Sequence, residues 1–186
     1  MGKYIFESTS PETILVSSNI KIKKVTNLND FKDFFRVPWL IYNDNDYWVP
    51  PFWGEMKRFF SKNELFWTHS EGELFVAYRD DKAIGRIAAI IDHLYSVPGG
   101  KKIGFFGFFE CIPDFEIASS LLKVVQKWLI SKGMDEMHGP VNGRVDMGSG
   151  FLLKGFDSMP YLIGHYSPKY YVDFAEKFKM KKSIDL

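Results

Sequence analysis

Cysteine is the scarcest reactive residue in this chain, with Cys111 alone among 186 residues. One thiol forms no intramolecular disulfide and is too few for a cysteine-rich zinc site, so the expected compartment is reducing, the cytoplasm. The histidines, His69, His93, His138 and His165, lack metal-ligand spacing, and no metal is expected. Charge of one sign is not in excess either: Lys and Arg number 24 against 23 Asp and Glu. That balance gives no general pull toward nucleic acid or an anionic membrane. No apolar run approaches the roughly 20 residues of a membrane-spanning helix. The start, MGKYIFESTSPE, lacks the apolar centre of a signal peptide and has Phe6 where a myristoylation signal needs Ser or Thr, so no leader or lipid anchor is expected.

Apolar residues are plentiful, at 46% with 17% aromatic, enough for one domain with a substantial core. Residues 1–19, rich in Ser, Thr and Pro, read as an extension able to lend a short strand. The domain proper then spans residues 20–186. IKIKKVT alternates as a strand does, and NLNDFKDFFRVPWLIY follows with an Asn or Asp cap and helical spacing. The Pro pair in YWVPPFWGEMKRFF stops that helix and leaves a second one from Gly54 to Phe60. ELFVAYRDDKAIGRIAAIIDH has the pattern of a hairpin turning at Asp80, Asp81 and Lys82, and IGFFGFFECI is a third consecutive strand.

IPDFEIASSLLKVVQKWLISKGM is an amphipathic helix with Asp114 as its cap and Gly133 as its stop. DEMHGPV follows as a strand, which implies a parallel pair with a right-handed crossover. Residues 142–167 form a long Gly-rich connection of the kind that is often functional. PKYYVDFAEKF is a last helix, and KMKKSIDL reads as a last strand. The fold class is α/β, with a mixed, mostly antiparallel sheet flanked by helices.

In this element order, and in ELFVAYRDDKAIGRIAAIIDH, KKIGFFGFFECI, GPVN and KGFDSMPYLIGHYSPKYY, the chain resembles the GNAT superfamily of acyl-CoA-dependent acyltransferases, and within it a little-characterised bacterial and archaeal family. The resemblance covers residues 20–186. It implies that the fourth strand, counted from IKIKKVT, bulges and splays from the fifth so that the pantetheine arm of acetyl-CoA or another acyl-CoA pairs there as an added strand. Gly107 and the cofactor positions Phe108, Phe109, Cys111 and Ile112 match that place. Asp114, Phe115, Ile117 and Ala118 match the start of the following helix, where the pyrophosphate sits. Of the superfamily's phosphate loop only Ala118 is matched, and Asp114 and Glu116 bring negative charge. Ala175 stands where many relatives carry the tyrosine that protonates the leaving thiolate, and Tyr171, one turn earlier on the same face, is the substitute candidate acid. The resemblance also implies a further strand after the sixth, so that residues 20–186 show an open sheet edge through which two copies could pair.

Glu110 is the candidate catalytic base, because an amine of pKa near about 10.4 must lose a proton before it attacks a thioester. A strand-end carboxylate paired with a nearby Lys or Arg is the other reading. Cys111 reads as a small buried hydrophobe. Asn142 and Arg144 are candidate substrate-binding residues; alternatively Asn142 turns the chain and Arg144 pairs with Asp146. The aromatic residues Trp39, Tyr47, Trp48, Phe52, Trp53, Phe59 and Phe60 either line an acceptor pocket or pack the core. Two functions are therefore expected: direct acyl transfer to a small-molecule or peptide amine, or a non-catalytic binding or assembly module. Half of a tandem arrangement is a third.

Overall fold

The computed structural model describes residues 2–185 apart from 9, 11, 17, 18 and 161–164. Alternation in β2 (Ile20–Lys24) buries Ile20 and Ile22, while β3 (Ser70–Arg79) and β4 (Lys82–Asp92) are buried on both faces over most of their length, as central strands are. Asp80 and Asp81 join β3 to β4 at φ 48° and 63°, the left-handed pair that a two-residue hairpin turn requires. The expected hairpin is therefore present. β5 (Ile103–Cys111) adds antiparallel to β4, and β6 (Glu136–His138) lies parallel to β5. With β1 (Thr13–Leu15), the strands follow one another across the sheet in chain order, and every pair except β5/β6 is antiparallel. This is the mixed sheet expected from the sequence.

Helices cover both faces. On one lies α1 (Leu28–Tyr42), capped by Asn27, whose side chain accepts from the N–H groups of Asn29 and Asp30, and then α2 (Trp53–Phe59). Their apolar sides meet Leu74, Val76, Ile90 and Phe108. On the other face lies α3 (Phe115–Ser131), which packs Ile117, Leu121, Val125 and Leu129 onto Ile87, Ala89 and Phe106, with α4 (Tyr170–Lys177) beside it. The segment read as an extension also feeds the first layer: Tyr4 and Phe6 are buried, with the Phe6 ring 4.8 Å from Phe31. Its Thr13–Leu15 is the short edge strand β1.

One expected element is absent. KMKKSIDL forms no strand over residues 180–185; Leu186 lies outside the described residues. The reason is local. Lys179 takes φ 63° and the Met180 N–H returns to the Ala175 carbonyl, which turns the chain off α4 and leaves 181–185 exposed. Ser149 instead pairs with Val141, just beyond β6. The Gly-rich connection holds a short 3-10 turn, Val145–Met147, and its residues 161–164 lie outside the described residues.

Past β6 the chain crosses directly over Gly107. A Cβ there would lie 2.1 Å from the Val141 carbonyl oxygen, and the Val141 N–H donates to the Phe106 carbonyl at 2.8 Å. Replacing Gly107 by Ala should therefore lower unfolding stability by about 2–3 kcal/mol, because backbone rather than a side-chain tip must move. Gly54→Ala, at a helical site with open space around it, should change stability by less than about 1 kcal/mol, in the stabilising direction. Urea unfolding of both variants checks the pair.

Candidate active site

The site begins with one surplus residue. β4 and β5 pair Arg86 with Glu110 and Ala88 with Gly107, so Ile87 alone faces both Phe108 and Phe109. Phe108 absorbs the bulge at φ 50°. Strict alternation from Phe106, which packs on the α3 side, would send Glu110 to that side too. The extra residue reverses the phase: Phe108 joins the α1 side, Phe109 and Cys111 the α3 side, and Glu110 comes to lie directly across from Arg86.

β5 and β6 part at the same place, and side chains supply what a paired strand would have offered. The Phe108 N–H donates to Asn142 Oδ1 at 2.6 Å. The Cys111 N–H donates to Tyr171 Oη at 2.8 Å, and the Cys111 carbonyl accepts from Tyr170 Oη at 2.8 Å. The expected splay is thus present, with its edge at Cys111 covered from α4.

Glu110 is 2% exposed. Its Oε2 accepts from Tyr42 Oη at 2.8 Å and Tyr171 Oη at 2.7 Å, while Oε1 faces Arg86 Nη2 at 4.0 Å. Burial pushes the carboxyl up to about 7; the Arg86 charge and the two hydroxyls oppose that shift without cancelling it. Arg86 is buried too, donates to the Phe34 carbonyl at 3.2 Å and lies over the rings of Phe34 and Phe108. Its Nε has no hydrogen-bond partner among the described residues. Burial also holds both tyrosine hydroxyls well above their usual range, so they are donors near neutrality. His165 is pushed down to about 4 by burial and by Arg86, and stays neutral.

Of the candidate residues, Glu110 and Tyr171 come together. Phe108, Phe109 and Cys111 line the parted strands, and burial raises the Cys111 thiol, which favours the inert thiol form. Ile112 turns its N–H to Ile84, away from the opening. Asp114 caps α3 through the Glu116 N–H at 2.9 Å and accepts from Arg79 at 2.5 Å, so the helix start is already satisfied by the chain's own carboxylate. Phe115 packs on Phe174, and Ile117 and Ala118 are fully buried under α3. Asn142 is a buried brace between Phe108 and the Met147 carbonyl, whereas Arg144 is exposed and forks onto Asp146 and Glu64. Sequence reasoning missed Tyr42, Arg86 and Tyr170. Only Arg86 carried a signal, as the one charge inside AIGRIAAII.

Solved structures share the fold. An aminoglycoside acetyltransferase from an uncultured soil metagenomic sample, in complex with sisomicin, superposes with a TM-score of 0.56 at 15% identity, over 92% of this chain and 95% of that one. A predicted acetyltransferase with acetyl-CoA from Clostridium acetobutylicum does so with a TM-score of 0.57 at 12% identity, over 90% of this chain and 95% of that one. The chain has the GNAT fold. No protein-family profile matches it. Among curated proteins, Protein YghO of Escherichia coli strain K12 is 30% identical over 174 residues, which is 94% of this chain and 45% of that protein. A bacterial ceramide synthase of Caulobacter vibrioides is 27% identical over 172 residues, or 91% and 45%. The chain thus spans less than half the length of either relative.

On this GNAT fold the buried carboxylate makes stability fall with pH. Between about 4.5 and 7 the folded protein holds a proton on Glu110 that the unfolded chain has released, so the contribution of Glu110 to stability declines across that window, and its full loss of about 3 kcal/mol is reached above it. His165, depressed to about 4, acts in the opposite sense: between about 4 and 6.5 the unfolded chain holds a proton that the folded protein lacks, so its contribution rises with pH and offsets much of the Glu110 decline. Glu110→Gln should remove only the decline, so urea midpoints measured from pH 4.5 to 8 should rise in the variant relative to the native protein; equal slopes in the two would remove Glu110 as a cause.

Proposed function

We propose that this chain works in GNAT-type N-acyl transfer, with an acyl-CoA donor and the primary amine of a long-chain amino alcohol as acceptor. The observation that carries the reading is Glu110, a buried carboxyl held near pH 7 at the point where β5 and β6 part. An ordinary glutamate is too weak a base for an ammonium group; one raised to about 7 narrows the gap to the amine. Tyr42 and Tyr171 both donate to Oε2, so Oε1 is the oxygen that receives the proton, with Arg86 beside it. The solved neighbours' names support acetyl transfer, with an aminoglycoside as the acceptor in one of them. The Caulobacter relative supports the acceptor class, since a ceramide is the N-acyl derivative of a long-chain amino alcohol.

On the donor side the residues fit less well. Tyr170 and Tyr171 occupy the Cys111 groups that a pantetheine arm would pair with, and Asp114 fills the α3 start that would meet the pyrophosphate. That observation favours a second reading, in which the fold binds the amine without transferring to it. Either way the acceptor-side chemistry belongs to Glu110.

Incubation with acyl-CoA and a long-chain amino alcohol should release CoA thiol, with a rate that rises with pH through about 7 as Glu110 ionises. Glu110→Gln should slow that release at least about a hundredfold. If millimolar CoA neither binds in a calorimetric titration nor releases thiol, the transfer reading fails and the amine-binding one stands.

A further inference from the structure

A run of aromatic rings leads from Glu110 to open solvent. Tyr42, which donates to the carboxylate at 2.8 Å, stacks on Trp48 at 4.9 Å; Trp48 meets Trp39 at 5.2 Å, Trp39 meets Phe35 at 4.8 Å, and Phe35 meets Trp53 at 4.7 Å. Tyr42 is buried at one end, whereas Trp39 is 37% exposed, and Leu40 beside it on α1 and Val49 and Phe52 on the segment leading to α2 are 54%, 61% and 74% exposed. Four large apolar side chains exposed between residues 39 and 52 are a concentration that a protein rarely keeps in water. It is also rigidly set. Phe35 and Trp39 are one turn apart on α1, and Asn45 Oδ1 accepts from the N–H groups of Tyr47 and Trp48, which pins the loop that carries Trp48.

Core packing accounts for Phe35 and Trp53, which lie against the layer of Phe31, but not for Trp39, Leu40, Val49 and Phe52, whose side chains face water. The strip has two ends of different character: a carboxylate at the buried end, and exposed apolar side chains at the other. A ligand complementary to both is a cation with a hydrocarbon tail. We propose that the strip holds the alkyl chain of the amine acceptor, the ammonium group lying toward Glu110 and the tail running over Trp48 and Trp39 toward Phe52. This rests on the acceptor class proposed above and is independent of whether transfer occurs.

The test is calorimetric titration with 1-aminoalkanes of six, eight, ten and twelve carbons, below their micelle concentrations. Affinity should rise about twofold per methylene, half of the roughly fourfold expected for complete burial. The variant carrying Leu40→Ser and Phe52→Ser, both at exposed positions, should keep its fold and hexylamine affinity but lose most of that dependence on length. Glu110→Gln should weaken every amine by a similar factor and leave the length dependence intact. The proposal is overturned if affinity does not depend on length in the native protein, or if the double variant keeps the dependence. It is also overturned if the face binds phosphatidylglycerol vesicles, which carry no ammonium group, but no monomeric amine, or if it drives self-association that amines do not reverse. Length dependence without thiol release removes the transfer reading and leaves the tail site; thiol release at equal rates from short and long amines does the reverse.

Discussion

One surplus residue in β5 sets the terms for everything around it. Without the bulge at Phe108, the glutamate at the end of the strand would fall on the α3 face, among the aliphatic side chains of Leu121 and Leu122. With it, Glu110 faces Arg86 and Tyr42, and Phe108 is driven between Phe34, Phe59 and Phe60. The same bend ends the pairing with β6 and opens the side into which Tyr171 reaches. A backbone irregularity thus decides both which charge is buried and which groups stabilise it.

Burying a guanidinium and a carboxylate together is expensive unless their hydrogen bonds are met. Here Glu110 is better satisfied than Arg86, whose Nε has no partner among the described residues and which faces the carboxylate at 4.0 Å. A strongly bonded ion pair would hold the glutamate ionised. The loose one found here leaves burial as the dominant influence and keeps the proton exchangeable near neutrality. The imperfection of the pair is what makes the carboxyl chemically available.

Much of this fold is legible in the sequence, because its periodicities are strong and local. The hairpin at Asp80 and Asp81, the α3 cap at Asp114 and the aromatic strand after Lys102 each follow from a few neighbouring residues. The glutamate at the end of that strand stood out for the same reason. What could not be read was the phase change at Phe108, since an alternating apolar run looks the same with or without a bulge. Tyr42 and Arg86 join the site only through tertiary packing, and nothing in NLNDFKDFFRVPWLIY distinguishes the tyrosine from its apolar neighbours. KMKKSIDL alternates like a strand, yet the reversal at Lys179 carries it away from the sheet. Local pattern proposes a strand; a free edge in reach decides it.

The lone cysteine acquires a meaning from its surroundings. Cys111 has no exposed surface, sits against Gly85, and is closed in by the two tyrosines that bond its backbone. A thiol so placed reacts with an outside reagent only when the packing around it opens, locally or with the whole fold. As the chain holds a single sulfhydryl, every labelling event counts one such excursion, with no background from other sites. The residue that takes no part in the proposed chemistry is thus a stopwatch for how often the packing around the end of β5 opens.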